Sequence, residues 1–198
     1  YKKTLNFLFQ IIKLSKINFE YVDLGGGFGI PYKNNEKKIN IRNYSNLVKK
    51  FQKKLNCKII FEPGRFIVGN AGTLISKITF IKKNGKKYFI IIDAGMNDFM
   101  RPALYNAKHN IIPVLKLKKR INGNVEFVGP ICESTDTFLK YKNFSFLKEN
   151  SLVAITNVGA YGSTLSSNYN TRPLASEILL KNGKIKVIRK RQNISEII

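Results

Sequence analysis

The chain has 198 residues, of which 35 are Lys or Arg and 12 are Asp or Glu, for a formal net charge of +23, and 43% are apolar. That share of apolar residues excludes simple disorder despite the charge, and no apolar run is long enough to span a bilayer. Two cysteines, Cys57 and Cys132, are too few for a disulfide framework and lack the paired spacing of a zinc site, so no metal is expected.

Residues 1–16 carry Leu5, Leu8, Phe9 and Ile12 at spacings of three and four, which predicts an amphipathic helix. Residues 21–24 form a short strand cut off by Gly25-Gly26-Gly27-Phe28-Gly29. Asn43 is expected to cap a second helix with apolar face Tyr44, Leu47, Val48, Phe51 and Leu55, and Cys57 falls in its polar tail. Ile59-Ile60-Phe61 reads as a buried strand ending at Glu62-Pro63-Gly64-Arg65. Helix alternating with strand predicts a parallel α/β layer, and two strands are too few to close one. Near residue 72 the pattern changes. Residues 74–81, 88–92, 111–117, 125–128, 152–156, 177–180 and 185–188 read as strands, with hairpin turns at Asn84-Gly85 and Asn182-Gly183. Residues 1–72 are thus expected to be part of an α/β layer, and 73–198 a separate antiparallel β-barrel or sandwich. The chain opens on Tyr1 rather than Met, so it is expected to start inside a longer polypeptide, with any targeting segment out of view.

The charge has a plain cause. There are 28 Lys but 7 Arg, with 22 Asn and 26 Ile, the signature of AT-rich coding, and the lysines are spread along the chain. A solvated surface is expected rather than a nucleic-acid face. An Arg kept in a chain that favours Lys, such as Arg65 or Arg101, points to a need for a planar two-pronged donor.

Glycines directly after a strand let backbone N–H groups close on an anion. Gly25-Gly26-Gly27 alone could be a tight turn, but with Gly64-Arg65 at the next strand end it favours a single phosphate site. Glu62 is open to two readings, a pair with Arg65 or with a protonated ring nitrogen of a cofactor. Arg101 and Tyr105 are four apart and suit a carboxylate, against the alternative of a surface Arg beside a core Tyr. Cys132-Glu133 could supply a proton donor and an amine binder, although by composition alone Cys132 reads as a small buried hydrophobe. His109 reads as structural, and Cys57 has no assigned role. Gly159-Ala160-Tyr161-Gly162 with Asn168-Tyr169-Asn170 forms a polar, aromatic loop of the kind that carries function.

Taken in order, VDLGGGFGIPY (22–32), FEPGRFIVGNAG (61–72), DAGMNDFMRPALYNAKH (93–109), GPICESTD (129–136) and GAYGSTLSSNYNTRP (159–173) resemble the diaminopimelate decarboxylase family of pyridoxal-phosphate enzymes. The resemblance implies a (β/α)8 barrel, of which 1–72 would be the C-terminal part, joined to a C-terminal β domain. It implies a head-to-tail homodimer, a cytoplasmic setting, a small amino-acid substrate, and no nucleic-acid or membrane partner. It implies decarboxylation of meso-2,6-diaminopimelate to L-lysine. By the same likeness Gly26, Gly27, Glu62, Pro63, Gly64 and Arg65 would hold the cofactor, with Glu62 on its pyridine nitrogen. Tyr161 would touch cofactor and substrate, and Arg65, Arg101 and Tyr105 would hold the substrate's far carboxylate. Glu133 from the partner would bind the far amine, and Cys132 from the partner would be the catalytic acid. The family's cofactor-bearing lysine lies on a first barrel strand that this chain lacks, so the chain alone is expected to be inactive and not to fold fully. The alternatives are a sister decarboxylase of ornithine, arginine or carboxynorspermidine, and a non-catalytic remnant.

Overall fold

The N-terminal helix α1 (Lys2–Ser15) follows the predicted periodicity and ends where Lys16 turns left-handed. Helix α2 (Ile41–Leu55) is capped one turn earlier than expected: Asn40 is the N-cap and its side chain accepts the Asn43 N–H at 2.9 Å. Asn43 is the capped residue and not the cap. The residue types are identical at the two positions, so only the backbone conformation distinguishes them. Between and after these helices run two three-residue strands, β1 (Tyr21–Asp23) and β2 (Lys58–Ile60), paired in parallel with Val22 opposite Ile59. Leu5, Val22, Phe28, Tyr44, Val48, Phe51 and Cys57 form the core of this part. Cys57 is therefore a buried core residue and not part of a polar tail. The expected burial of the second strand is only partly met: Ile59 is half-buried, whereas Ile60 and Phe61 are exposed. In a two-stranded layer each strand has an open edge. Helix α1 also carries a second apolar face, Phe7, Ile11 and Leu14, that is exposed.

The computed structural model describes residues 1–32, 36–115 and 119–198. The chain divides into two compact units, Tyr1–Ile67 and Val68–Ile198. The short helix α3 (Arg65–Val68) and a 3-10 turn at Gly69–Ala71 precede the second unit's first strand.

The second unit is built on a six-stranded sheet. Its strands are β3 (Thr73–Asn84), β4 (Lys87–Ile92), β5 (Ile111–Pro113), β6 (Arg120–Val128), β7 (Thr137–Ser145) and β8 (Leu152–Thr156), in the order β5-β8-β3-β4-β6-β7. It is mixed rather than antiparallel throughout, because β4 and β6 run parallel. The connection between those two strands passes through helix α4 (Arg101–Tyr105) and β5, long enough for the crossover that parallel pairing needs. Strand β7 has no counterpart in the sequence reading; Leu139-Lys140-Tyr141-Lys142 alternates, but the left-handed Asn143 breaks the phase before the buried Phe144. The strand expected over 111–117 ends at Pro113, and its positions 116–117 lie outside the described residues.

Ile78, Ile90, Ile92, Phe99, Ile111, Val125, Phe127, Val153 and Ile155 fill the interior. Tyr141 joins the two end strands: its hydroxyl accepts the Ile111 N–H at 2.7 Å and reaches Asn110 Oδ1 at 2.9 Å. Burial pushes this phenol up to about 12. The sheet is thus nearly closed through a side chain. Both expected hairpins are present. Gly85 takes positive φ at the first turn, whose two central residues are Gly85 and Lys86, and Asn182 and Gly183 both take positive φ between β9 (Glu177–Lys181) and β10 (Lys184–Arg189).

Candidate active site

The first cluster lies at the C-terminal ends of β1 and β2. The ladder continues past the strands, with Leu24 N–H on the Ile60 carbonyl (3.0 Å) and Glu62 N–H on the Gly25 carbonyl (2.9 Å). A Cβ on Gly26 would strike the Glu62 carbonyl oxygen, and Gly25 and Gly27 hold φ of +64° and +75°. The glycine run is therefore required by the crossing of two strand ends, and the same backbone forms a concavity suited to an anion. Asp23 Oδ1 already takes the Gly25 N–H at 2.7 Å. Arg65 Nη1 donates to the Tyr32 hydroxyl at 3.2 Å, and its guanidinium lies 5.9 Å from that ring. Glu62 is exposed, so of the two readings of Glu62 the pair with Arg65 is not formed among the described residues. Pro63 and Gly64 make the turn into α3, where Gly64's carbonyl accepts the Ile67 N–H at 3.1 Å.

The second cluster lies in the second unit, on loops at one end of the sheet. Arg101 opens α4 and is buried (7% exposed), while Tyr105, one turn on, is 63% exposed. The alternative of a surface Arg beside a core Tyr is reversed. The Arg101 guanidinium sits 5.9 Å from the Tyr105 ring and 5.4 Å from the Tyr161 ring. Its Nε is buried without a hydrogen-bond partner, and no carboxylate among the described residues pairs with it. A largely buried guanidinium whose Nε has no partner is costly unless an anion arrives.

Tyr161 itself holds a left-handed φ of 60°. The loop that carries it is fixed by a glycine crossing: Gly159 N–H bonds the Gly69 carbonyl (3.0 Å), Val158 N–H the Gly72 carbonyl (3.1 Å), and a Cβ on Gly159 would collide with the Val68 carbonyl.

Cys132 and Glu133 sit on the loop after β6, both exposed. The expectation of Cys132 as a buried hydrophobe is thus overturned. Glu133 accepts a 2.6 Å hydrogen bond from the Tyr169 hydroxyl, which pushes the Tyr169 phenol above its usual range. The loop is anchored from behind by Asp136, whose buried carboxylate takes the N–H groups of Met96 (2.7 Å) and Ile131 (2.8 Å). Burial raises the Asp136 carboxyl above its usual range, and those two bonds partly offset the rise. Arg172 ties the remaining loop to this base. It donates to Asn97 Oδ1 (3.0 Å) and to the Asp93 carbonyl, and lies 3.6 Å from Asp98. Burial raises Asp98, against the opposing pull of the Gly95 N–H and Arg172. His109 is buried, bonds the Thr156 carbonyl through Nδ1 at 3.1 Å and packs edge-on against Phe99, in keeping with a structural role.

Arg101, Tyr105 and Tyr161 thus form one group, and Cys132, Glu133 and Tyr169 another. Asn97, Asp98, Asp136, Arg172 and the Tyr169–Glu133 bond were missed from sequence. Arg172 carried a usable signal, since it too is an Arg retained among many Lys. Among the described residues no cluster could hold a metal ion, and no helix is long and apolar enough to cross a membrane.

The chain is similar to known proteins over nearly its whole length. Diaminopimelate decarboxylase of Aquifex aeolicus is 43% identical over 191 residues, covering 96% of this chain and 45% of its own length. That of Helicobacter pylori is 44% identical over 181 residues, covering 91% and 44%. A crystal structure of a Helicobacter pylori diaminopimelate decarboxylase in complex with L-lysine superposes with a TM-score of 0.85 at 41% identity, covering 99% of this chain and 48% of that one. The chain spans about half the length of the curated relatives it matches. The family model described as the pyridoxal-dependent decarboxylase C-terminal sheet domain matches residues 12–159, a span that takes in the glycine turn, the Arg101 helix and the Cys132 loop, and on that match the chain belongs to the pyridoxal-dependent decarboxylases.

Proposed function

We propose that this chain is the C-terminal part of a diaminopimelate decarboxylase, which converts meso-2,6-diaminopimelate to L-lysine and carbon dioxide with uptake of one proton. The observation that carries this reading is Arg101, a buried guanidinium with an unpartnered Nε between two tyrosines. It suits a substrate with a second carboxylate, and diamine precursors lack one.

The glycine turn fits the phosphate of pyridoxal phosphate. With the Gly25 N–H taken by Asp23, Gly26, Gly27 and Gly64 would hold the phosphate, with the charge of Arg65 close in sequence. Glu62, exposed and not paired with Arg65, would hold the proton on the pyridine nitrogen. When bound, the cofactor supplies the electron sink for the pair released as the carboxylate leaves. Arg101 and Tyr105 fix the far carboxylate and Tyr161 flanks them. Glu133 binds the far ammonium. Cys132 Sγ delivers a proton to the carbon that has lost carbon dioxide. In a homodimer Cys132 and Glu133 serve the partner's site; their exposure on a loop supports this.

The first unit is the closing part of a (β/α)8 barrel whose other strands lie outside this chain. The open two-stranded layer and the exposed second face of α1 support this, as does the half-length match. Two unpaired thiols suit a reducing cytoplasm. The test is carbon dioxide release by the complete enzyme supplied with pyridoxal phosphate. A kcat/KM for meso-diaminopimelate roughly a thousandfold above those for L-ornithine and L-arginine is expected. Equal or faster turnover of either would assign a sister decarboxylase, and no release from any of them a remnant.

A further inference from the structure

Tyr169 stands on a loop that is held in a costly conformation. Asn170 and Thr171, directly after it, both take left-handed φ (57° and 53°), and a β-branched residue rarely does so. Anchors on either side hold it there. Asn168 Nδ2 donates to the Arg172 carbonyl (2.9 Å) and to Gln192 Oε1 (2.6 Å), Ser167 N–H bonds the Asn97 carbonyl (2.9 Å), and Arg172 grips Asn97. Strain maintained by this many bonds points to a task for what the loop presents. What it presents is the Tyr169 hydroxyl, 2.6 Å from Glu133 Oε1. Glu133 itself lies on an exposed loop.

We propose that Tyr169 is a positioning residue that sets selectivity for the far ammonium, by holding one oxygen of Glu133 so that the other faces the substrate. This inference rests on the reading of Glu133 as the ammonium acceptor. An unheld glutamate would have to be ordered by each arriving substrate, which weakens binding and leaves the chemical step alone.

The test uses the complete enzyme with pyridoxal phosphate and two ligands. One is meso-diaminopimelate, and the other is 2-aminopimelate, which keeps both carboxylates and lacks the far amine, measured as a competitive inhibitor. For Tyr169→Phe the KM for diaminopimelate is expected to rise about tenfold, the size of one charge-assisted hydrogen bond, with kcat within about twofold. The inhibition constant of 2-aminopimelate is expected to stay unchanged. Glu133→Gln is expected to raise the diaminopimelate KM further, again without effect on 2-aminopimelate. An unchanged KM in Tyr169→Phe alongside a raised one in Glu133→Gln would overturn the positioning role and leave the Glu133 reading intact. Equal weakening of both ligands by Tyr169→Phe would show a merely structural tyrosine and also overturn it. No effect of Glu133→Gln on diaminopimelate would overturn the Glu133 reading itself, and this inference with it. The ring is kept in Tyr169→Phe, and an unchanged melting temperature checks that the fold is too.

Discussion

Replacing Asp136 by Asn isolates the anchor of the Cys132 loop. The Asp136 carboxylate is buried and takes two backbone N–H groups, Met96 at 2.7 Å and Ile131 at 2.8 Å. The near-isosteric amide can accept one of these bonds and must turn an N–H donor toward the other. One buried N–H is left unsatisfied, at a cost of about 1–3 kcal/mol, and the retained bond loses its charge. Against this, the amide escapes the desolvation that raises the Asp136 carboxyl. The loss stands because either protonation state of the carboxyl can keep an oxygen toward both N–H groups, whereas the amide must aim its own N–H at one of them, and the net loss is about 2 kcal/mol. Calorimetry of the complete protein, about twice the length of this chain, should show a fall in Tm of about 2 °C, with hydrogen-exchange protection lost at Met96 and Ile131. The pH dependence has a definite sign. The folded Asp136 carboxyl lies above the ordinary 3.8, so its contribution is full below that value and declines as pH rises through the folded value. The deficit of the Asn variant should therefore widen on acidification. Unchanged protection at both amides would refute the reasoning, by showing that water serves them.

Two further substitutions test the scaffold. Gly159→Ala places a methyl against the Val68 carbonyl where two backbones cross, so a loss of more than about 2 kcal/mol in thermal unfolding, or no soluble protein, is expected; wild-type stability would deny the close crossing. Tyr141→Phe removes the hydroxyl that joins the end strands and leaves the Ile111 N–H unpaired, at a cost of about 1–2 kcal/mol by urea denaturation; no change would show that the sheet does not depend on this link.

Much of this architecture was legible because it depends on local rules. The helix faces of α1 and α2 follow from spacing, and both hairpins from their glycines. The misses have physical causes. Asn40 and Asn43 are equally good caps by residue type, and the alternation of β7 is cut short by a left-handed asparagine. The parallel β4–β6 pair depends on chain path and not on composition. At the site, Arg101 and Tyr105 could be placed on one helical turn, but not which of the two would be buried. Cys132 read from composition as buried, and the structure exposes it. The anchors Asp136, Asn97 and Arg172 were out of reach for a different reason: each bonds residues 30 or more positions away along the chain, a pairing that no spacing rule encodes.

The most direct test of the central claim is to measure kcat/KM for meso-diaminopimelate in the complete enzyme carrying Arg101→Ala, beside the inhibition constant of D-lysine, which keeps the reacting end of the substrate and has no far carboxylate. A buried guanidinium that receives a carboxylate should cost at least a hundredfold in kcat/KM when removed, while D-lysine binds within about threefold of wild type. An equal loss for both ligands, or none for either, would contradict Arg101 as the carboxylate receptor and with it the assignment of diaminopimelate as substrate.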